Sequence, residues 1–232
     1  MNSFMTDLNG ILFNIAQSLP GFLLAIVAHE AAHAWMANRF GDPTAKNQGR
    51  LTLNPAAHYD PFGTILFPLL AAATNFAMIG WARPVPVETR NFKKIRQGIF
   101  WVSFAGPLMN LILGTLSAII LAIIATKVPM DWSFYTISLR MLRYSVFINF
   151  ILAFFNLIPL PPLDGSKMIS SFLKGNALRS YENFAQYTPM IFIGIMALSF
   201  MGIHTIGYLL QPASDLANYV MFGFVGLLGG AG

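Results

Sequence analysis

Residues 8–40 read LNGILFNIAQSLPGFLLAIVAHEAAHAWMANRF. No Asp, Glu, Lys, Arg or His occurs from residue 8 to residue 28, and about 20 mostly apolar residues suffice for a helix to cross a bilayer. Uncharged runs recur at 61–82, 98–126, 144–163, 188–203 and 216–232. Of the 232 residues, 56% are hydrophobic and 10% charged, against about 25% charged in a soluble domain. So few charges cannot cover a soluble globule, which excludes an ordinary soluble enzyme. The chain reads as an all-α polytopic membrane protein. Its net charge of +5 fits basic residues gathered on one membrane face, with no nucleic-acid partner implied. The absence of Cys excludes disulfides, thiolate metal sites and a Cys nucleophile. No Lys or Arg precedes the first apolar run, so no cleavable signal is expected. Without a linker or repeat, residues 1–232 form one integral-membrane domain.

The end of the opening stretch carries the chemistry. His29-Glu30-Ala31-Ala32-His33 lies in a helix-compatible run, and residues four apart project from one helix face. Two imidazoles so placed can bind one zinc ion, with Glu30 beside them to take a proton from a zinc-activated water. Ionisable residues inside a membrane helix are costly and mark a functional site. A catalytic zinc needs a third protein ligand. Candidates are His58, Asp164, His204, Glu88, Glu182 and a few other carboxylates. Asp164 stands out because it follows the uncharged run 144–163 and the proline-rich stretch Asn156-Leu-Ile-Pro-Leu-Pro-Pro-Leu-Asp164-Gly165. Prolines open the helix there, and open backbone at membrane depth lines cavities or is buried in protein. The competing reading makes Asp164 a cap for a helix starting near Ser166.

The HEAAH segment, Phe104-Ala-Gly-Pro-Leu-Met-Asn110 and Asn156 to Gly165 together resemble the site-2 protease family of intramembrane zinc metalloproteases. The resemblance spans a core of about residues 20–170. It implies that His29, His33 and Asp164 bind one Zn2+, that Glu30 is the general base and acid, and that Asn156 faces substrate or the developing oxyanion. It implies an endopeptidase acting on membrane-protein or signal-peptide-like substrates within the lipid bilayer. Residues 49–63, GRLTLNPAAHYDPFG, and 80–87, GWARPVPV, look like a compact prokaryotic subgroup without a PDZ or CBS domain, which implies the cell inner membrane. Ser166 stands where the family often has a second glycine after the Asp. Gly106, Pro107 and Asn110 read as helix-packing residues. His58 reads as a loop residue near the site or an ordinary loop histidine, and His204 as a bundle hydrogen-bonding residue.

The metal hypothesis constrains topology. For His29 and Asp164 to meet, one true span, 98–126, must separate their helices, so 61–82 must fold back as a re-entrant segment. Eleven of the fourteen Lys and Arg then fall on one face, from residues 39–97 and 164–187, with Lys127, Arg140 and Arg143 on the other. A crossing segment would give eight against six, and the positive-inside rule favours the first arrangement. The N-terminus is then outside and the active site nearer the cytoplasm. About five spans are expected, including a C-terminal pair over about 188–230 formed by 188–210 and 216–228. Arg50 to Asn54 alternates polar and apolar residues, and Pro84 to Glu88 reads as extended. Together they predict a small β-hairpin or sheet at the cytoplasmic rim, to which substrate adds as a strand.

Overall fold

The computed structural model describes residues 2–66, 80–201, 203 and 205–230. Its helices are α1 (Asn2–Phe40), the short α2 (Thr44–Asn47), α3 (Ile95–Lys127), α4 (Tyr135–Leu157), α5 (Asp164–Phe172), α6 (Gly175–Ala185), α7 (Thr188–Phe200) and α8 (Thr205–Gly229). Among the described residues, three stretches are long and apolar enough to cross a membrane: Phe13–Phe40, Ile95–Lys127 and Tyr135–Leu157. These three do not by themselves confirm the expected count of about five. At 13 residues, α7 rises only about 20 Å, short of a hydrocarbon core of about 30 Å. α8 has the length but carries Gln211, Pro212 and Asp215 in mid-course. It runs unbroken through 211–215, so the C-terminal break falls between Phe200 and Thr205 and not where the sequence was expected to turn.

α3 is central. Its Ala118 and Leu121 pack with Val146 and Phe150 of α4 and Ala217 and Met221 of α8. Phe22, Ile26 and Val27 of α1 form a second cluster with Ala82, flanked by Ile148 and Leu152 of α4. In lipid, apolar surface does not drive helices together, so close backbone approach must. A Cβ on Gly114 would lie 2.9 Å from the Phe150 ring, and one on Gly21 would lie 3.2 Å from Ser145.

The rim between α1 and α3 corrects the sheet expectation: no strand occurs there among the described residues. Arg50 and Pro84 do meet, but through a side chain. The Arg50 guanidinium donates to the carbonyls of Ala57, Arg83 and Pro84. Pro84 and Pro86 have no N–H to give a ladder, and Asn54 caps a 3-10 turn at Pro55–Ala57. Most of the expected re-entrant segment lies outside the described residues. Its flanks touch: the Trp81 N–H donates to the Gly63 carbonyl (3.1 Å) and Thr64 Oγ1 donates to the Trp81 carbonyl (3.1 Å).

Asp42, fully buried, ties α1 and α2 to the 88–91 segment of the rim. Its Oδ1 accepts from Thr44 N–H (3.1 Å), Thr44 Oγ1 (2.5 Å) and Asn91 Nδ2 (2.9 Å), and its Oδ2 from Glu88 N–H (2.7 Å). Burial opposes ionisation of this carboxyl, but the donors from Thr44, Asn91 and Glu88 prevail and hold it below the ordinary carboxylate range. Asp42→Asn sets an amide NH2 against donors and should destabilise the protein by about 1–3 kcal/mol at neutral pH. The folded pKa lies below the unfolded one. The contribution is therefore whole above the unfolded pKa and is lost as pH falls through the folded one. Thermal melts of wild type and Asp42→Asn should differ at neutral pH and converge under acid, below about pH 4.

Candidate metal centre

His29 and His33 sit one turn apart on α1, both buried. The face of α3 that meets them repeats at the same four-residue spacing: Val102, Gly106, Asn110. His33 Nδ1 lies 2.6 Å from the Val102 carbonyl, and His29 Nδ1 lies 2.7 Å from Asn110 Oδ1. Gly106, between them, leaves the room. A Cβ there would lie 2.4 Å from His33 Nε2 and 2.6 Å from His29 Nε2.

These partners fix the tautomers. A carbonyl only accepts, so His33 carries its hydrogen on Nδ1. Asn110 Nδ2 already donates to the Ala25 carbonyl (3.1 Å) and to Asn149 Oδ1 (2.9 Å). Asn110 therefore presents Oδ1 to His29, which also donates from Nδ1. Asn149 is held in turn by donating to the Ser145 carbonyl (2.8 Å). With Nδ1–H committed outward, each ring turns its Nε2 inward, and the two Nε2 atoms stand 3.0 Å apart.

Asp164 closes the group. α4 ends at Leu157, the proline-rich stretch crosses the site, and Asp164 is the first residue of α5. It is neither at the end of α4 nor the cap of α5, a place held by Leu163. Its Oδ2 lies 3.1 Å from His29 Nε2 and 3.2 Å from His33 Nε2, and its Oδ1 lies 3.8 Å from Lys167 Nζ. Gly165 permits this turn, since a Cβ there would lie 2.3 Å from the Leu157 carbonyl oxygen. Two imidazole nitrogens and a carboxylate converging in a buried place form a donor set that suits a divalent metal.

Glu30 lines a cavity of about 640 Å3 together with the two histidines, Asp164 and Asn156. Glu30 Oε2 accepts from the Val85 N–H at 2.8 Å. Asn156 shares this wall, and its Nδ2 donates to the Leu152 carbonyl one turn back (3.0 Å). His58 is buried elsewhere in the rim, where Nε2 donates to the Thr52 carbonyl (2.9 Å). Glu88 and Glu182 are not grouped with the ligands, and His204 lies outside the described residues. Sequence reasoning undervalued Gly106 and Asn110, assigned to packing alone. The signal was their four-residue spacing, which matches that of the histidines. A second, largely apolar cavity of about 450 Å3 adjoins the first, with Gly80, Leu152 and Phe155 on both walls.

Residues 131–199, which hold α4 and Asp164, match the family described as "Peptidase family M50". The chain is 38% identical over 194 residues to "Putative zinc metalloprotease YwhC" of Bacillus subtilis, a match covering 83% of this chain and 85% of that one. It is 28% identical over 181 residues to "Putative zinc metalloprotease Rip2" of Mycobacterium tuberculosis, covering 78% and 66% of the two chains. The Mycolicibacterium smegmatis protein of the same name is 27% identical over 178 residues. No solved structure matches significantly.

Two substitutions test the centre. Asn110→Ala removes the acceptor that orients His29 and should weaken metal affinity about 10- to 100-fold. Gly106→Ala should displace a ligand ring and lower retained metal further, with helix content by circular dichroism unchanged. Metal per chain after dialysis against graded chelator measures both.

Proposed function

This chain belongs to the site-2 protease family, peptidase family M50, and we propose that it is an intramembrane zinc endopeptidase. It hydrolyses peptide bonds in or near transmembrane segments of other proteins, including signal-peptide-like segments. The observation that carries this reading is the convergence of His29 Nε2, His33 Nε2 and Asp164 Oδ2, with Glu30 on the wall of the same cavity. The donor set fits one zinc ion, which when bound acidifies water toward a pKa of about 7 and polarises a carbonyl.

The protein's own groups do the rest. His29, His33 and Asp164 hold the ion, while Asn110 and the Val102 carbonyl hold the rings. Glu30 accepts a proton from the attacking water. As the C–N bond breaks, it returns that proton to the leaving amine nitrogen. Asn156 has a second amide hydrogen beyond the one given to Leu152, and from the cavity wall it is suited to the carbonyl oxygen as charge develops there. The adjoining apolar cavity suits a substrate whose side chains come from lipid.

The same reading orients the chain with its N-terminus outside and the basic residues of 39–97 and 164–187 on the cytoplasmic side. His29 lies ten residues before Arg39, so the centre sits roughly 15 Å from the cytoplasmic boundary. The chain has no native Cys, so single cysteines report cleanly. Asn176→Cys should react with an impermeant maleimide from the cytoplasmic side and Asp131→Cys from the other; the reverse pattern refutes the orientation.

The deciding assay uses purified protein in detergent with a membrane-spanning reporter substrate. Glu30→Gln should retain zinc and lose cleavage by about 100-fold or more. Asp164→Asn should lose both zinc and cleavage. Undiminished cleavage by Glu30→Gln would overturn the mechanism.

A further inference from the structure

The rim holds a buried cation that the chemistry above does not use. Arg50 is 8% exposed. Its Nη1 donates to the Ala57 carbonyl, and its Nη2 donates to the carbonyls of Arg83 (2.8 Å) and Pro84 (3.1 Å). Burying a guanidinium is costly, and hydrogen bonds to neutral carbonyls do not neutralise it. Among the described residues it forms no ion pair, although the Glu30 carboxylate is within electrostatic reach. A side chain held at such cost fixes something that matters.

What it fixes is the peptide that follows. The Pro84 carbonyl and the Val85 N–H belong to the same peptide group. One end is gripped by Arg50, and the other donates to Glu30 Oε2 at 2.8 Å. The Val85 side chain packs on Ala34 of α1 and Ala45 of α2, which limits rotation of that group. Pro84 and Pro86 flank it and offer no competing N–H. Arg50 is also tied at Arg50 N–H to the Ala45 carbonyl (2.9 Å), and Arg83 N–H to the His58 carbonyl (2.9 Å).

We propose that Arg50 is a positioning residue for the reaction: by gathering the carbonyls of Ala57, Arg83 and Pro84 it aims the Val85 amide, which holds the Glu30 carboxylate in place. This rests on the role proposed for Glu30. Arg50 itself touches neither substrate nor metal. Lysine cannot take its place, because a point charge does not grip three carbonyls as a planar fork does.

The test uses the full-length protein with Arg50→Lys, Val85→Pro and the double variant. Proline at 85 removes the amide hydrogen and sets its ring Cδ in that place, so the bond to Glu30 cannot form. Each single variant should keep wild-type zinc content and KM and lose about 10- to 100-fold in kcat. The double variant should be no slower than the slower single, because both act through one hydrogen bond. Losses that multiply, or a raised KM with kcat intact, overturn the proposal.

A second measurement does not need proteolysis. Within 84–86 only Val85 carries a backbone N–H, so deuterium uptake by a peptide covering those residues, corrected by overlapping peptides, reports that bond. Arg50→Lys should speed its exchange at least 10-fold, and so should Glu30→Ala. Unchanged exchange in Arg50→Lys refutes the clamp whether or not the chain proves to be a protease. Altered exchange with an inactive wild type would refute the protease reading and leave the clamp standing.

Discussion

Two imidazole nitrogens and a carboxylate are held facing one another inside a membrane protein, and the architecture around them exists to keep them there. Each Nδ1–H is committed outward, so the Nε2 atoms are the ones left to face the carboxylate. Rotation of a ring is opposed because each Nδ1–H is spent, one on the Val102 carbonyl and one on Asn110. Asp164 is brought up to the rings by a close approach of Gly165 to the end of α4 that leaves no room for a Cβ. The donor set so assembled suits a divalent metal. Preorganisation of this kind raises affinity by placing its cost in folding.

That cost is met by matching two helices of identical period. α1 places histidines at 29 and 33, and α3 answers with 110, 106 and 102 in antiparallel order. Apolar surface cannot select this register, because lipid tails satisfy it equally in any alignment. The polar ladder can. Asn110 bonds Asn149, Asn149 bonds Ser145, and Ser145 shares a hydrogen bond with Ser117 back on α3. A slip of one residue would leave several of these amides and hydroxyls unpaired in a low-dielectric interior, at about 1–3 kcal/mol each. The ladder that orients a ligand therefore also fixes the alignment of the bundle.

How much of this is legible in the sequence follows from whether a signal is local. His29 and His33 are readable because helical periodicity alone puts them on one face. Asp164 is readable because prolines at 159, 161 and 162 open the backbone just before a lone carboxylate. Gly106 and Asn110 carry the same periodicity, but their meaning depends on which helix lies opposite, and composition does not specify that. The rim misleads for a related reason. Alternation over 50–54 is a backbone signal, whereas Arg50 joins the two stretches through its side chain and the prolines at 84 and 86 deny the ladder its donors. At the C-terminus, Pro212 and Asp215 resemble a turn, yet α8 passes through them, as helices do where neighbours stabilise a proline-containing turn.

The irregular rim also serves a purpose that a sheet would not. In a ladder, the amide of residue 85 would be committed to a neighbouring strand, and Glu30 would have to find another donor. With prolines on either side, the Val85 amide has no strand partner and is free for a side chain. A single neutral N–H on one oxygen orients a carboxylate without neutralising it, as an arginine or lysine contact would. A general base has to keep its charge and basicity while losing its rotational freedom. The buried cation is held one peptide away, gripping carbonyls, so that it orders the group that touches Glu30 without binding Glu30 itself. Order at the proposed base and freedom of its charge are thus separated across the peptide between Pro84 and Val85.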